Sequence, residues 1–463
     1  MYSKKIIYTI IYILCLIFSQ INFAANLPIE IYNIKQNKST LSHYLYNNDL
    51  TLILPAEIQK KHFQRFLQHV FATNSEGLSP WSAVFIKKIT PKIIEEFKQS
   101  VPINLNKEHY AFNFHNHSKS WCSELNKQIK NAKINFQYHK NNRAIAVRNT
   151  YARKLPTLDP DYLSFEIAGQ GYPFDNFQES AIYIGTPLYV LATSANGSWS
   201  YVITPDAYTA WVLSSDIAYA SRDFIEKWNK NINSSLIAVT KNQVIINDLK
   251  NNYLEKIYIG TVLPYEKIQD KNYLIKIPTK DNNNFAAIKL ARLDIKNGRK
   301  MPLLYNLKNI SYILRANIGR PYGWGGLYFY NDCSQELKSF FTPFGIWLPR
   351  NSEAQIQQDT KIYDYSELSV HDRLANLRKY ATPWLSIINI KGHVMLYIGQ
   401  YYDKNIIMTY QNIWAYHDKN EKIRYVIGKS TILPLNDTNN FDIDISSQAS
   451  KKYFRWTNLQ ELL

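Results

Sequence analysis

Cysteine is nearly absent from this 463-residue chain, which has three in all. Cys15 falls within the first 25 residues, so a processed chain keeps only Cys122 and Cys333. Two thiols make at most one disulfide, which excludes a small disulfide-stapled fold and leaves each thiol open to another role. Long apolar runs are also scarce. The stretch at residues 6–18 follows Lys4 and Lys5 and leads into a small-residue end, the layout of a secretory signal peptide over residues 1–25. It falls short of the roughly 20 residues a membrane span needs, and no later run is long or apolar enough. Leu14 before Cys15 is bulky where lipoprotein processing wants a small residue. The expected location is therefore exported, periplasmic or secreted. Acidic residues are few as well, 37 against 54 Lys and Arg, and the net charge of +17 falls only to +15 without Lys4 and Lys5. A positive surface favours anionic partners, which outside the cytoplasm are wall carboxylates and teichoic or lipid phosphates. No zinc-finger or RNA-binding signature points to nucleic acid.

What is present is material for several cores. With 46% apolar, 20% charged and 14% aromatic residues, the chain is not disordered, and its length suggests three or four domains. Residues 26–157 mix helical patterns such as "EIQKKHFQRFLQHVF" with polar loops and end in a turn-rich exit. Residues 158–225 and 232–298 change to closely spaced short strands, which suit two small β-barrels. Both carry a Tyr-Ile-Gly-Thr-x-Leu element, at 183–188 and 258–263. Residues 299–463 combine helical and strand patterns. The fold class is α+β, multidomain.

"RPYGWGGLYFYNDCSQELKSFF", residues 320–341, sets Cys333 between a glycine-rich aromatic run and a helical pattern. Leu337, Phe340, Phe341 and Phe344 recur at helical spacing, so Cys333 opens an amphipathic helix. Free backbone N–H groups there favour a thiolate, Asp332 is an N-cap and Ser334 lies in the first turn. Gly323, Gly325 and Gly326 would let a substrate approach the backbone. An isolated cysteine is more often an inert apolar residue, so a base is needed to give it chemistry. His393 in "GHVMLYIGQYYDKNIIMTYQNIW" lies on one arm of a hairpin whose turn, centred near 402 or 403, puts it opposite Gln411 or Asn412. A thiol at a helix start, an imidazole on a strand and an amide beside it follow thiol-peptidase logic. His115, His117 and Cys122 have no metal-ligand spacing, and His371 lies among charges. No metal or other cofactor is called for.

On "PYGWGG", "NDCS", "FGIWLPRNS" and "GHVMLYIG" the chain resembles the NlpC-type papain-like cysteine peptidases. The match is to their multidomain branch, with an N-terminal stabilising domain and two bacterial SH3-like domains before the C-terminal peptidase domain. The resemblance implies a peptidoglycan hydrolase that cleaves the bond between γ-D-glutamate and the diamino acid of stem peptides or muropeptides. It implies Cys333 as nucleophile, His393 as base and Gln411 as the orienting group, where many relatives have histidine. It further implies that Asp332 and Ser334 hold the free amine of an N-terminal L-alanine, that Tyr322 supports substrate or oxyanion, and that Tyr208 walls the same pocket. "LPRNS" receives no chemistry. The glutamine at 411 keeps open a non-catalytic wall-binding protein with a degenerate peptidase domain, in peripheral contact with wall or membrane.

Overall fold

A computed structural model describes residues 29–32, 38–99, 109–357, 360–401, 406–420, 422–436 and 445–461. The signal-peptide segment at 1–25 lies outside the described residues, as does the tip of the 393–417 hairpin. Three helix-and-sheet regions follow one another. The first sheet has the order Gln178–Ile182, Thr150–Arg153, Thr209–Leu213, Trp199–Ile203, Pro187–Thr193, Arg143–Ala146, Ile217–Tyr219, with Lys133–Ile134 beside Pro187–Thr193. The second runs Ala286–Asp294, Asn272–Lys280, Val262–Gln269, Leu236–Val239, Gly298–Lys300, with a separate hairpin of Val244–Asn247 and Tyr253–Ile257.

Two expectations change here. Strand pairing among the described residues closes neither sheet into a barrel, so both are open SH3-like sheets. The first sheet also recruits Arg143–Ala146 and Thr150–Arg153, upstream of the boundary expected at 157. The turn-rich "KLPTLDPDY" that suggested a boundary is a loop inside the sheet. It is held by Arg153, whose guanidinium bonds Asp175, Gln178 and the carbonyls of Thr157 and Asp159.

The C-terminal sheet has seven strands, ordered Ile29–Ile31, Arg424–Pro434, Ile407–His417, His393–Gln400, Ser386–Ile390, Phe454–Asn458, Ile362–Asp364. Its first strand comes from the start of the described chain and pairs in parallel with Arg424–Val426. The N-terminal region is thus shared out among the others. The helix Ala56–Val70 inserts Phe63 and Phe66 into a core that also holds Ile184 of the first sheet, Ile237 and Leu263 of the second, and Trp347 of the C-terminal region. Against the C-terminal sheet lies the helix Cys333–Phe341, continued by a 3-10 turn Thr342–Phe344. The four expected apolar positions, Leu337, Phe340, Phe341 and Phe344, are all fully buried against Val394, Leu396 and Tyr410. Burial of each such side chain contributes about 1.5–3 kcal/mol, which seats Cys333 firmly over the hairpin.

Candidate active site

Polar contacts set the helix on the sheet. Glu336 is fully buried and accepts from Tyr410 Oη, from Ser430 Oγ at 2.8 Å and from Asn331 Nδ2 at 2.8 Å. Asn412 Nδ2 donates to the carbonyl of Asn331 at 2.8 Å. These bonds tie the residues around Cys333 to the same strand that carries Gln411. Asp332 caps the helix as expected, accepting from the N–H of Gln335 at 3.0 Å.

Cys333 is 8% exposed and neither cysteine is in a disulfide. The backbone N–H groups of Val394, the residue after His393, and of Ser334 lie near its sulfur and favour the anion. Burial outweighs them, and with the charge of Asp332 beside it the thiol is pushed up to about 12. This corrects the expectation that the helix start alone delivers a thiolate: end-of-helix polarity is too small against desolvation. Burial likewise pulls His393 down to about 4, against a hydrogen bond from the ring to Gln411 and the charge of Asp332. At neutral pH the resting pair is therefore thiol and neutral imidazole.

His393 Nε2 and Gln411 Oε1 are 2.7 Å apart. The strands meet in a register slightly different from the expected one. Leu396 pairs with Tyr410 and Gln400 with Ile407, and a bulge between Tyr397 and Gly399 advances the partner by one residue. Continued to the hairpin base, that register sets His393 across from Ile413, so Gln411 is its diagonal rather than direct neighbour, within reach of a long side chain.

Asp332 and Ser334 meet Arg350 of "LPRNS", a segment whose sequence reads as structural. Arg350 bonds both carboxylate oxygens of Asp332, gives Nη1 to Ser334 Oγ at 2.6 Å, and gives Nε to Ser180 Oγ of the first sheet at 2.9 Å. All four residues are buried. The only signal was an arginine in "LPRNS", whose partners come from distant segments. Gly325 and Gly326 also serve docking rather than substrate approach. Their φ values are +55° and +78°, and a Cβ would lie 2.4 Å from the Gln178 carbonyl and 2.6 Å from the Ala181 nitrogen. Gln178 Nε2 bonds the Gly325 carbonyl at 2.8 Å, and Trp324 Nε1 bonds that of Asp175 at 3.0 Å.

Two cavities flank this assembly. One, of about 430 Å³, is lined by Tyr322, Trp414, His393 and Gln448 together with Lys391, Arg424, Lys451 and His417. Among the described residues its lining has no carboxylate. Burial, with the charge of Asp332 nearby, raises the Tyr322 hydroxyl well above the usual range. Tyr208 lines the other cavity, of about 110 Å³, with Ser180, Asp206, Lys338 and Arg350, and its hydroxyl donates to Glu179. It is not among the residues that line the His393 cavity. His117 bonds the Pro160 carbonyl and His371 is exposed.

A family profile for SH3 domains of the SH3b1 type matches residues 160–213. Comparison with curated proteins finds no match. Among solved structures, an NlpC/P60 endopeptidase from Photobacterium damselae subsp. piscicida superposes with a TM-score of 0.76 at 27% identity, over 94% of this chain and 99% of that one. An NlpC/P60 family protein from Bacillus cereus ATCC 10987 aligns over 67% of this chain and 98% of its own, at 16% identity and a TM-score of 0.45. With a buried cysteine at a helix start, an imidazole held by an amide on the adjoining hairpin, and an SH3 domain beside them, this chain is similar over nearly its whole length to an NlpC/P60 endopeptidase.

Proposed function

We propose that the protein is a cell-wall peptidase whose nucleophile is Cys333, acting on peptidoglycan stem peptides at the bond between γ-D-glutamate and the diamino acid. The observation that carries this reading is the 2.7 Å bond between His393 Nε2 and Gln411 Oε1. It leaves Nδ1 as the ring's acceptor on a residue adjoining Val394, whose N–H lies near the Cys333 sulfur. His393 takes the thiol proton as sulfur adds to the carbonyl carbon, backbone N–H groups around Cys333 meet the oxyanion, and the proton passes to the leaving amine. Water activated by the same ring then releases the acyl group from sulfur. Because thiol and imidazole start neutral, the proton moves only as the attack proceeds.

The cation-lined cavity beside His393 supports a leaving portion that carries carboxylates, as a stem peptide does. Asp332 and Ser334 are kept as contacts for a free N-terminal amine, and Tyr322 as a group beside the reacting sulfur. The reading also keeps export through residues 1–25 and contact with the wall by the SH3-like sheets. Mass spectrometry of products from a defined L-alanyl-γ-D-glutamyl-diamino acid tripeptide tests it. Wild type is expected to release the diamino acid and Cys333→Ala is not; equal turnover by both removes the nucleophile. The 8% exposure of Cys333 favours one second reading, a wall-binding protein with a closed, silent site. It predicts no turnover by wild type with retained binding to wall fragments.

A further inference from the structure

An amide can hold an imidazole in two ways. If Gln411 presents its oxygen, His393 carries its proton on Nε2 and Nδ1 keeps a lone pair. If it presents its NH2, the proton moves to Nδ1 and the ring can no longer accept there. The two orientations have the same shape, so something outside the amide has to choose between them.

Gln448 ties the orientation down without choosing it. Its Nε2 donates to Gln411 Oε1 at 2.9 Å, and its Oε1 accepts from Gln411 Nε2 at 3.0 Å. Two amides paired head to tail are satisfied equally well when both are reversed. Thr409 breaks this symmetry. It lies two residues before Gln411, on the same face of the strand, and its hydroxyl donates to the main-chain carbonyl of Leu433 at 3.1 Å. A carbonyl has no proton to offer in return. With its single proton committed, the Thr409 oxygen is an acceptor toward Gln411, whose Nε2 donates to it at 2.9 Å. Thr409 and Gln411 are fully buried and Leu433 is 2% exposed, which keeps solvent from substituting for either bond.

We propose that Thr409 is a positioning residue that sets the tautomer of His393. The Leu433 carbonyl fixes the hydroxyl, the hydroxyl fixes the Gln411 amide, and the amide oxygen holds the proton on Nε2. The sequence of donors runs from the strand His393–Gln400 across Ile407–His417 to Arg424–Pro434. Nδ1 is left as the basic nitrogen. The effect on turnover rests on the peptidase reading above, whereas the position of the proton does not.

Thr409→Val removes the hydroxyl at nearly constant shape, and Thr409→Ser retains it. Long-range 1H–15N correlation spectra of the His393 ring report the tautomer directly. Wild type and Thr409→Ser are expected in the Nε2–H form, and Thr409→Val in a mixture with Nδ1–H. On the tripeptide, Thr409→Val should lower kcat by roughly 10- to 100-fold with KM unchanged, short of the roughly 10⁴-fold that complete commitment to a wrong tautomer costs in a serine-protease triad. Adding Gln411→Glu to Thr409→Val supplies a group that only accepts, and should return the ring to Nε2–H. A wild-type ring in the Nδ1–H form overturns the proposal, as does a Thr409→Val ring unchanged from wild type. If wild type turns over no peptide, the peptidase reading fails while the spectra still decide the role of Thr409.

Discussion

The turn at residues 183–186 of the first SH3-like sheet and the turn at 258–261 of the second have the same sequence and the same shape. Gly185 and Gly260 both sit at φ +87°. Gly185 N–H bonds the Ala146 carbonyl at 2.8 Å, and Gly260 N–H bonds that of Val239 at 3.1 Å; Thr186 and Thr261 each reach back to their tyrosine. What the turns face is different. A Cβ on Gly185 would meet Leu263 of the sister sheet at 3.0 Å, whereas one on Gly260 would meet Ser339 Cα, on the Cys333 helix, at 3.1 Å. The second sheet touches that helix by the close backbone approach of Gly260 to Ser339, and both sheets stack a tyrosine on Phe329 before the helix, Tyr151 at 5.0 Å and Tyr258 at 5.3 Å. The first sheet holds the helix and its flanking segments with charge and hydrogen bonds: Asp206 to Lys338 on the helix at 2.5 Å, Gln178 to Gly325 before it, and Ser180 to Arg350 after it. One repeat has become a spacer, the other a clamp. Non-directional packing gives cohesion but little angular definition, while bidentate and buried polar contacts fix orientation.

Breaking the clamp should be the largest single effect. Arg350→Met leaves the buried Asp332 carboxylate without its cation, a loss of about 3–5 kcal/mol that urea denaturation would register. Adding Asp332→Asn should recover part of it. Recovery of none would mean that Arg350 matters mainly through Ser180. Next come the contact surfaces. Gly325→Ala drives a methyl into the Gln178 carbonyl at a left-handed position and should cost roughly 2–4 kcal/mol. Gly260→Ala, with more room at Ser339, should cost about 1–2 kcal/mol. Equal losses would erase the distinction between clamp and spacer.

The remaining effect is titration. His69 lies in the N-terminal helix, its ring stacked on Trp347 at 3.5 Å, and burial with Arg65 nearby pulls it down to about 3. His393 is pulled down to about 4. Both fold neutral, so below the ordinary histidine value near 6.5 the unfolded chain binds protons that the folded one refuses. The stability they contribute is complete above about 6.5 and is lost as pH falls toward 4 and 3. Thermal melts from pH 7 to 4 should show this decline, and His69→Phe should flatten it. For turnover, the acid limb of kcat/KM should fall near 4 rather than 6.5.

Much of the site was readable because its signals are local. Helical spacing after Cys333 located the helix and Asp332 the cap, and the hairpin joined His393 to Gln411 with an error no larger than the bulge at Gly399. The repeated Tyr-Ile-Gly-Thr element announced two related sheets. What escaped depends on segments far apart in the chain. Arg350 acquires meaning only where Asp332, Ser334 and Ser180 converge, and the strands at 143–153 join a sheet across a loop that reads as a linker. The protonation of Cys333 was misjudged for the same reason: a helix start is visible in sequence, but the depth at which it is buried is not.

That depth bears on chemical durability. Peroxides and disulfides react with thiolates, and a sulfur held as thiol until a substrate arrives offers them almost nothing. Cys122, partly exposed, would be consumed first. The same shielding that keeps Cys333 a thiol makes it a slow target for oxidants, with no second cysteine needed to protect or restore it.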